Sequence, residues 1–275
     1  MKKENFNILV TLDRNYILPL QTMIVSILTS NKDAQISLYV AHSSLTDEDF
    51  DRIALADING NLEIFPISVD PSLLCDAPIL KRLSKESYYR LIAHEYLPES
   101  VDRILYLDPD IAVINSLSPL YNTDLKGNYI AAAGHFDGFL NWYNKIRLGV
   151  KHNKDYINSG VLLIDVSSLR KLRNTHKIFD YVEKHASKLW LGDQDTVNAF
   201  YDGKILILDT DKYNLDEKTF KKHSKRKDIN AQWVRQNTVI VHYDGKNKPW
   251  NEPYEGELGE YFFAARQLLD SCTKK

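Results

Sequence analysis

The sequence predicts an α/β protein with a Rossmann-like, mostly parallel sheet flanked by helices. Short apolar runs alternate with segments whose apolar residues recur at helical spacing, in the order strand, helix, strand, helix, strand. The apolar run at 104–107 offers no polar face, as expected for a strand that is covered on both sides. With 275 residues, of which 44% are hydrophobic and 26% charged, the chain can bury a large core.

The first half of the chain gives the clearest alternation of elements. Pro19 is favoured at the first position of a helix, and apolar residues at helical spacing follow it. Thr46 and Asp49 form a capping-box pattern that opens a second helix. Pro66 has no amide N–H, so it marks a strand end or a strand at the sheet edge. Together these signals predict strands at 8–12, 36–40, 62–67 and 104–107, and helices from 19, from 46 and over 87–96.

The second half continues the pattern without an internal repeat, a low-complexity linker or a clear domain boundary. Predicted strands lie at 129–133, 156–166, 204–208 and 238–242, and predicted helices at 168–173, at 177–189, through 200 and at 255–269. The dense basic run at 218–228 predicts a solvated loop. A surface that contacts an anionic acceptor or lipid headgroups is the alternative.

Charge and cysteine content exclude several classes. A net charge of −2 gives no reason to expect a nucleic acid partner. Cys75 and Cys272 are far apart and lack a zinc-binding pattern, which favours a reducing compartment over a disulfide framework. We see neither a signal-peptide pattern nor a run of about 20 apolar residues, so we expect a cytoplasmic protein, with contact to the inner face of the membrane left open.

Two carboxylates interrupt an apolar segment near the middle of the chain. Asp108 and Asp110 flank Pro109 directly after the strand at 104–107. Two anions at the end of a buried strand are costly unless a cation lies there, and open α/β sheets bind ligands at the carboxyl ends of strands. The pair therefore indicates a divalent-metal site that holds a phosphorylated ligand. Asp-Pro-Asp is also ordinary turn chemistry, so the triplet alone leaves both interpretations open.

The first strand is not followed by a glycine-rich phosphate loop. Asp13-Arg14-Asn15-Tyr16 stands where a dinucleotide-binding fingerprint would lie. This argues against a dehydrogenase and against a nucleotidyltransferase or sugar-nucleotide pyrophosphorylase.

Five stretches, read in order along the chain, resemble the family-8 retaining glycosyltransferases. They are 13–16, 107–110, 156–164, 192–195 and 242–250. This family contains bacterial lipopolysaccharide galactosyl- and glucosyltransferases and, more distantly, glycogenin. The resemblance runs from about 8 to 250 and implies the GT-A fold. It thus implies one nucleotide-sugar transferase domain over 1–250, with a C-terminal helical tail over 251–275.

The resemblance implies a metal site made of Asp108, Asp110 and His242. Carboxylate oxygens suit Mn²⁺ or Mg²⁺, and an imidazole ligand favours Mn²⁺ over Mg²⁺. A lone histidine at a strand end is more often structural. The spacing of His242 to Gly245 and Lys248 supports the ligand role.

The nucleotide-binding residues implied by the family surround this metal site. They are Thr11, Asp13, Asn15, Tyr16, Gly245 and Lys248. Asp13 and Asn15 would bond the uracil, on which Tyr16 would stack, and Gly245 and Lys248 would contact the diphosphate. A helix-capping turn would explain Asp13 alone but does not explain all three residues, and Trp250 is expected to pack against the loop.

The implied donor-sugar residues are Arg90, Asp108, Asn158, Asp193, Gln194 and Asp137. Asp193 and Gln194 are the expected catalytic pair, with Asp193 on the sugar hydroxyls and Gln194 near the anomeric carbon. Asp137 has His135 as a rival for its position. Asp195 is expected to be structural, as an acid in the first turn of a helix.

The implied reaction is the transfer of a hexose from a UDP-sugar to a hydroxyl of a saccharide or glycolipid acceptor, with retained configuration. A non-catalytic nucleotide-sugar-binding protein of the same fold is an alternative, against which the intact motif set argues. The choice between glucose and galactose depends on one hydroxyl, and the sequence does not decide it.

Overall fold

The computed structural model describes residues 3–78, 85–135, 138–225, 229–251 and 253–273. Strands in these ranges are β1 Asn5–Thr11, β2 Gln35–His42, β3 Leu62–Ser68, β4 Arg103–Leu107, β5 Ile111–Val113, β6 Ile130–Gly134, β7 Ile157–Asp165, β8 Ile205–Leu208 and β9 Ile240–His242. Helices are α1 Ile17–Ser30, α2 Asp47–Ala54, α3 Lys85–Leu91, α4 Ala93–Tyr96, α5 Ser118–Tyr121, α6 Gly138–Leu148, α7 Val166–Leu172, α8 Thr175–His185, α9 Gly192–Phe200, α10 Thr210–Tyr213, α11 Glu217–His223, α12 Ala231–Asn237 and α13 Gly259–Thr273.

The main sheet has the strand order β3-β2-β1-β4-β7-β6-β8. Every neighbouring pair in it is parallel except those that include β7, which runs antiparallel to β4 and β6. The predicted mostly parallel α/β fold is therefore confirmed. Pro66 lies in the edge strand β3, one of the two positions that its missing N–H allows.

A small second sheet brings a distant part of the chain to the acidic pair. It pairs β5 with β9 in antiparallel register, so that Ile111 lies opposite His242. Because β5 begins directly after Asp110, this pairing places His242 next to Asp108 and Asp110.

Helices cover both faces of β4, as the apolar sequence predicts. Leu105 and Leu107 pack with α1 on one face, whereas Ile104 and Tyr106 pack with residues of α3 on the other. Ala265 of α13 joins the first of these clusters. The division of the chain at residue 250 stays a prediction.

The solvated-loop prediction for the basic run is wrong over 218–223, because this part forms most of helix α11. Asp216 caps the helix by accepting a hydrogen bond from the Thr219 amide at 2.6 Å, and Phe220 is buried. The buried Phe220 and the Asp216 cap thus stabilise a helix in a segment whose high charge predicted a loop. Residues 226–228 of the run lie outside the described residues.

The predicted helix over 87–96 forms as two shorter helices, α3 and α4, with Ile92 between them. Over the ranges given above, no helix is both long and apolar enough to cross a membrane.

Candidate active site

Three side chains could hold a cation where β4 ends. Asp108, Asp110 and His242 each place one ligand atom so that all three atoms lie within 4.8 Å of one another. His242 Nε2 is 3.1 Å from Asp110 Oδ1 and 3.9 Å from Asp108 Oδ2. Two hard carboxylates and one imidazole form a donor set suited to a transition-metal dication such as Mn²⁺.

Asn214 fixes the orientation of the His242 ring. Its Oδ1 lies 2.8 Å from His242 Nδ1 and accepts a hydrogen bond, which leaves Nε2 facing the carboxylates. Burial lowers the pKa of His242, but the charge and hydrogen bond of Asp110 outweigh burial and raise it to about 9. Sequence reasoning missed Asn214, which comes directly after the short helix α10 and carries no motif.

Lys248 supplies a positive charge on the other side of Asp110. Its Nζ donates to Asp110 Oδ2 and to the carbonyl of Tyr243, each at 2.6 Å. Burial raises the pKa of Asp110, whereas His242 and Lys248 together lower it below its ordinary value. The carboxylate is therefore kept ionised.

Gly160 keeps this cluster close together. The Gly160 carbonyl accepts a hydrogen bond from the Asp108 amide at 2.8 Å. A Cβ atom at Gly160 would lie 2.3 Å from His242 Cε1 and 2.7 Å from Asp108 Oδ2. Only a residue without a side chain fits here, although the sequence motifs do not predict Gly160 as a site residue.

Arg90 links the acidic cluster to the predicted catalytic residues. Its Nη2 lies 2.9 Å from Asp108 Oδ1, and its Nη1 lies 3.2 Å from Asp193 Oδ2. The guanidinium also stacks over the Tyr106 ring, 4.5 Å from the ring centroid, and donates to the Ser159 carbonyl. Burial raises the pKa of Asp193, and the charge of Arg90 opposes that shift.

Gln194 is held by Tyr156, which precedes β7, and by Ser159 within it. Its Oε1 accepts a hydrogen bond from the Ser159 amide at 3.2 Å, and its Nε2 donates to the Tyr156 hydroxyl at 3.2 Å. The Tyr156 hydroxyl in turn donates to Asp195 at 2.7 Å. Asp195 is fully buried and forms a two-pronged ion pair with Arg147, which agrees with a structural role.

Asn158 lies between the cluster of Asp108, Asp110 and His242 and a second polar group. Its Oδ1 accepts from the Gly160 amide at 2.8 Å, and its Nδ2 lies 3.2 Å from His135 Nδ1. His135 Nδ1 is also 3.6 Å from Asp244 Oδ2. His135 thus lies at the site, whereas its rival Asp137 lies outside the described residues.

The predicted nucleotide-side residues surround the end of β1. Asp13 Oδ1 accepts from the Asn15 amide at 2.8 Å, so Asp13 does cap the turn that follows. Tyr16 packs edge-on against Trp250, with ring centroids 6.0 Å apart. Burial raises the pKa of Tyr16, and the charge of Lys248 opposes this.

The remaining two nucleotide-side predictions have different surroundings. Thr11 Oγ1 is buried and lies 3.1 Å from the Tyr106 hydroxyl, which itself donates to Asp108 at 2.6 Å. A Cβ atom added at Gly245 would meet no described atom within 4 Å beyond its chain neighbours, so its surroundings are open. Thr11 acts on the site through Tyr106, and the space at Gly245 is available to a ligand.

The sheet is mostly parallel, and its strand ends carry a cluster of two carboxylates and an imidazole, with Arg90 and Lys248 beside it. These features place the protein among the glycosyltransferases of GT-A fold. More specifically, the chain belongs to glycosyl transferase family 8, whose family model matches residues 7–253.

Its relatives cover the chain almost completely. It is 29% identical to general stress protein A of Bacillus subtilis, over 94% of both chains. It is 27% identical to the lipopolysaccharide 1,3-galactosyltransferase of Salmonella typhimurium, over 96% of this chain and 78% of that one. Among solved structures, galactosyltransferase LgtC with donor and acceptor sugar analogues superposes with a TM-score of 0.79 at 26% identity, covering 96% of each chain.

Proposed function

We propose that the protein is a metal-dependent, retaining hexosyltransferase. It moves glucose or galactose from a UDP-sugar to a hydroxyl of a saccharide or glycolipid acceptor, in the synthesis of lipopolysaccharide, another cell-surface glycan or a glycoconjugate. The observation that carries the proposal is the joining of Asp108, Asp110 and His242 into one cluster with Lys248 and Arg90 beside it. The similarity to galactosyl- and glucosyltransferases supports the substrate class.

The residues present fit a divalent cation. Asp108, Asp110 and His242 would hold it, and the missing Cβ of Gly160 leaves the room that their close approach requires. A cation bound here would neutralise the donor diphosphate and make UDP a better leaving group. We favour Mn²⁺ over Mg²⁺ because one ligand is an imidazole.

On the donor sugar, the proposal gives Asp193 and Arg90 a binding role. Asp193 Oδ2 accepts from Ser159 at 3.1 Å and pairs with Arg90, and Oδ1 would bind a sugar hydroxyl. Asn158 would contact the sugar from the start of β7. Asp13, Asn15 and Tyr16 would bind the uracil, and Gly245 and Lys248 the diphosphate.

Retention of configuration is proposed to proceed by a front-face route. A double displacement needs a carboxylate nucleophile at the anomeric carbon. Gln194, which would lie near the anomeric carbon, is not a carboxylate, and both ends of its carboxamide are hydrogen-bonded to neighbouring groups. The leaving phosphate would instead accept the proton of the acceptor hydroxyl, while Gln194 contributes its dipole to the oxocarbenium-like state.

A panel of UDP-sugars tests this function directly. We expect Mn²⁺ to support slow release of UDP from UDP-glucose or UDP-galactose and EDTA to abolish it, since hydrolysis needs the same donor activation as transfer. The measurement is UDP release, with the anomeric configuration of the released sugar read by NMR. Turnover of a nucleoside triphosphate with a sugar phosphate would contradict the proposal in favour of a nucleotidyltransferase, and binding of a UDP-sugar without any turnover would favour a binding protein.

A further inference from the structure

Helix α6 turns large apolar side chains toward solvent. Phe139, Trp142 and Ile146 are 70%, 56% and 59% exposed, and Tyr143 lies on the same face at helical spacing. The buried residues of this helix are Asn144 and Leu148. Its most apolar face therefore points away from the core, the reverse of an ordinary surface helix.

Two residues before α9 enlarge this face. Trp190 and Leu191 are also exposed, and the Tyr143 and Trp190 rings have centroids 5.9 Å apart. Phe139 joins the group through Trp142, with centroids 5.5 Å apart. The α6 surface, as we call it, consists of Phe139, Trp142, Tyr143, Ile146, Trp190 and Leu191. A contiguous exposed patch of this kind is typical of an interaction site.

The charges around the α6 surface are mostly positive. The span 138–154 contains two lysines and an arginine besides Lys145 and no acidic residue, and Lys188 precedes Trp190. Arg147 is occupied by its ion pair with Asp195, but Lys151, Lys154 and Lys188 are exposed. Asp155, which follows this span, accepts a hydrogen bond from Asn141 of α6. Aromatic rings bordered mainly by lysines match the boundary between anionic headgroups and acyl chains.

The α6 surface lies next to the opening of the candidate active site. Leu140 of α6 lines a cavity of about 820 Å³ together with His242. Lys218, Lys221 and Lys222 of α11 line the same cavity, as do the carboxylate residues Asp216, Glu217, Asp244 and Glu255. A membrane against α6 would therefore lie beside this cavity.

We propose that the α6 surface seats the protein on an anionic lipid membrane. Its rings and Ile146 enter the headgroup region, and the surrounding lysines lie at the lipid phosphates. The consequence for catalysis rests on the proposed function: the cavity then faces an acceptor whose saccharide is anchored in that membrane.

Vesicle sedimentation tests the proposal with the full chain. We expect wild type to sediment with phosphatidylglycerol-containing vesicles, less with phosphatidylcholine alone, and less as salt rises. The double variant Phe139→Ser/Ile146→Ser should bind about tenfold or more weakly, since two apolar side chains no longer leave water. Leu55→Ser is the matched control, because Leu55 is 56% exposed on a different helix end and should leave binding unchanged.

Other outcomes overturn the proposal. One is wild type that stays in the supernatant with anionic vesicles, and another is equal loss of binding in Leu55→Ser. If wild type does not bind vesicles but forms a dimer, and the double variant is monomeric, the surface is instead a contact between copies of the chain. UDP release from the UDP-sugar is measured in parallel without vesicles. If the protein binds vesicles but releases no UDP, the proposed function is contradicted while the proposed membrane site is supported.

Discussion

Replacing Gly160 with alanine is expected to lower metal-dependent UDP release by about 100-fold or more, because a displacement of roughly 1 Å in a reacting site has effects of this size. The new methyl group would lie 2.3 Å from His242 Cε1 and 2.7 Å from Asp108 Oδ2. Both ligands must move apart to admit it, and neither can do so freely. His242 is buried and tied to Asn214, and Asp108 is tied to Arg90 and Tyr106.

The matched control for this variant is Gly134→Ala. Gly134 is also a strand glycine, but its Cβ would meet its nearest atoms at 3.5 and 3.6 Å, which is ordinary contact. We expect Gly134→Ala to retain most of the UDP release. The measurement is UDP release at saturating Mn²⁺, with circular dichroism to show that both variants fold. Wild-type release from folded Gly160→Ala would show that the three ligands do not act as one cluster.

Asp195→Asn is expected to destabilise the fold by about 3–5 kcal/mol, the cost of leaving a buried charge without its partner. Asp195 is fully buried, and the Arg147 side chain opposite it is 6% exposed. The same carboxylate accepts from the Leu191 amide and the Tyr156 hydroxyl, each at 2.8 Å or less. We also expect weaker catalysis, because Tyr156 connects Asp195 to Gln194.

Urea denaturation measures this effect as a change in the free energy of unfolding. Asp270→Asn is the control, since Asp270 forms an exposed pair with Arg266 one helical turn away. Such pairs contribute roughly 0.3–0.5 kcal/mol. If the free energy of unfolding fell equally in the two variants, the buried Arg147–Asp195 pair would contribute no more to stability than an exposed pair.

The architecture could be predicted from the sequence because apolar side chains are buried in the fold, so that their spacing along the chain reports which faces of each element are covered. Leu105 and Tyr106 are consecutive apolar residues, and they pack on opposite faces of β4. The same rule explains why α6 was missed. Its buried face holds only Asn144 and Leu148, and its apolar residues lie in solvent, so no inward periodicity indicates a helix.

The site was predicted only as far as its motifs extend. Parallel strands bring their carboxyl ends together, which accounts for Asp108 and Asp110. Ser159 and Gly160 reach the same edge because β7 is antiparallel, so that its amino end lies where β4 ends. Strand direction is a tertiary property that the residues of β7 do not reveal. Asn214 acts on His242 across 28 residues of sequence, and no local pattern signals that contact.

The central claim is that Asp108, Asp110 and His242 hold the cation to which the donor diphosphate binds. Calorimetric titration of UDP into wild type and Asp110→Asn, with Mn²⁺ or with EDTA, tests it most directly. We predict that wild type binds UDP at least about 100-fold more tightly with Mn²⁺ than with EDTA, and that Asp110→Asn loses this difference while remaining folded. Equally tight binding of UDP by wild type in EDTA, or an undiminished Mn²⁺ effect in Asp110→Asn, would contradict the account.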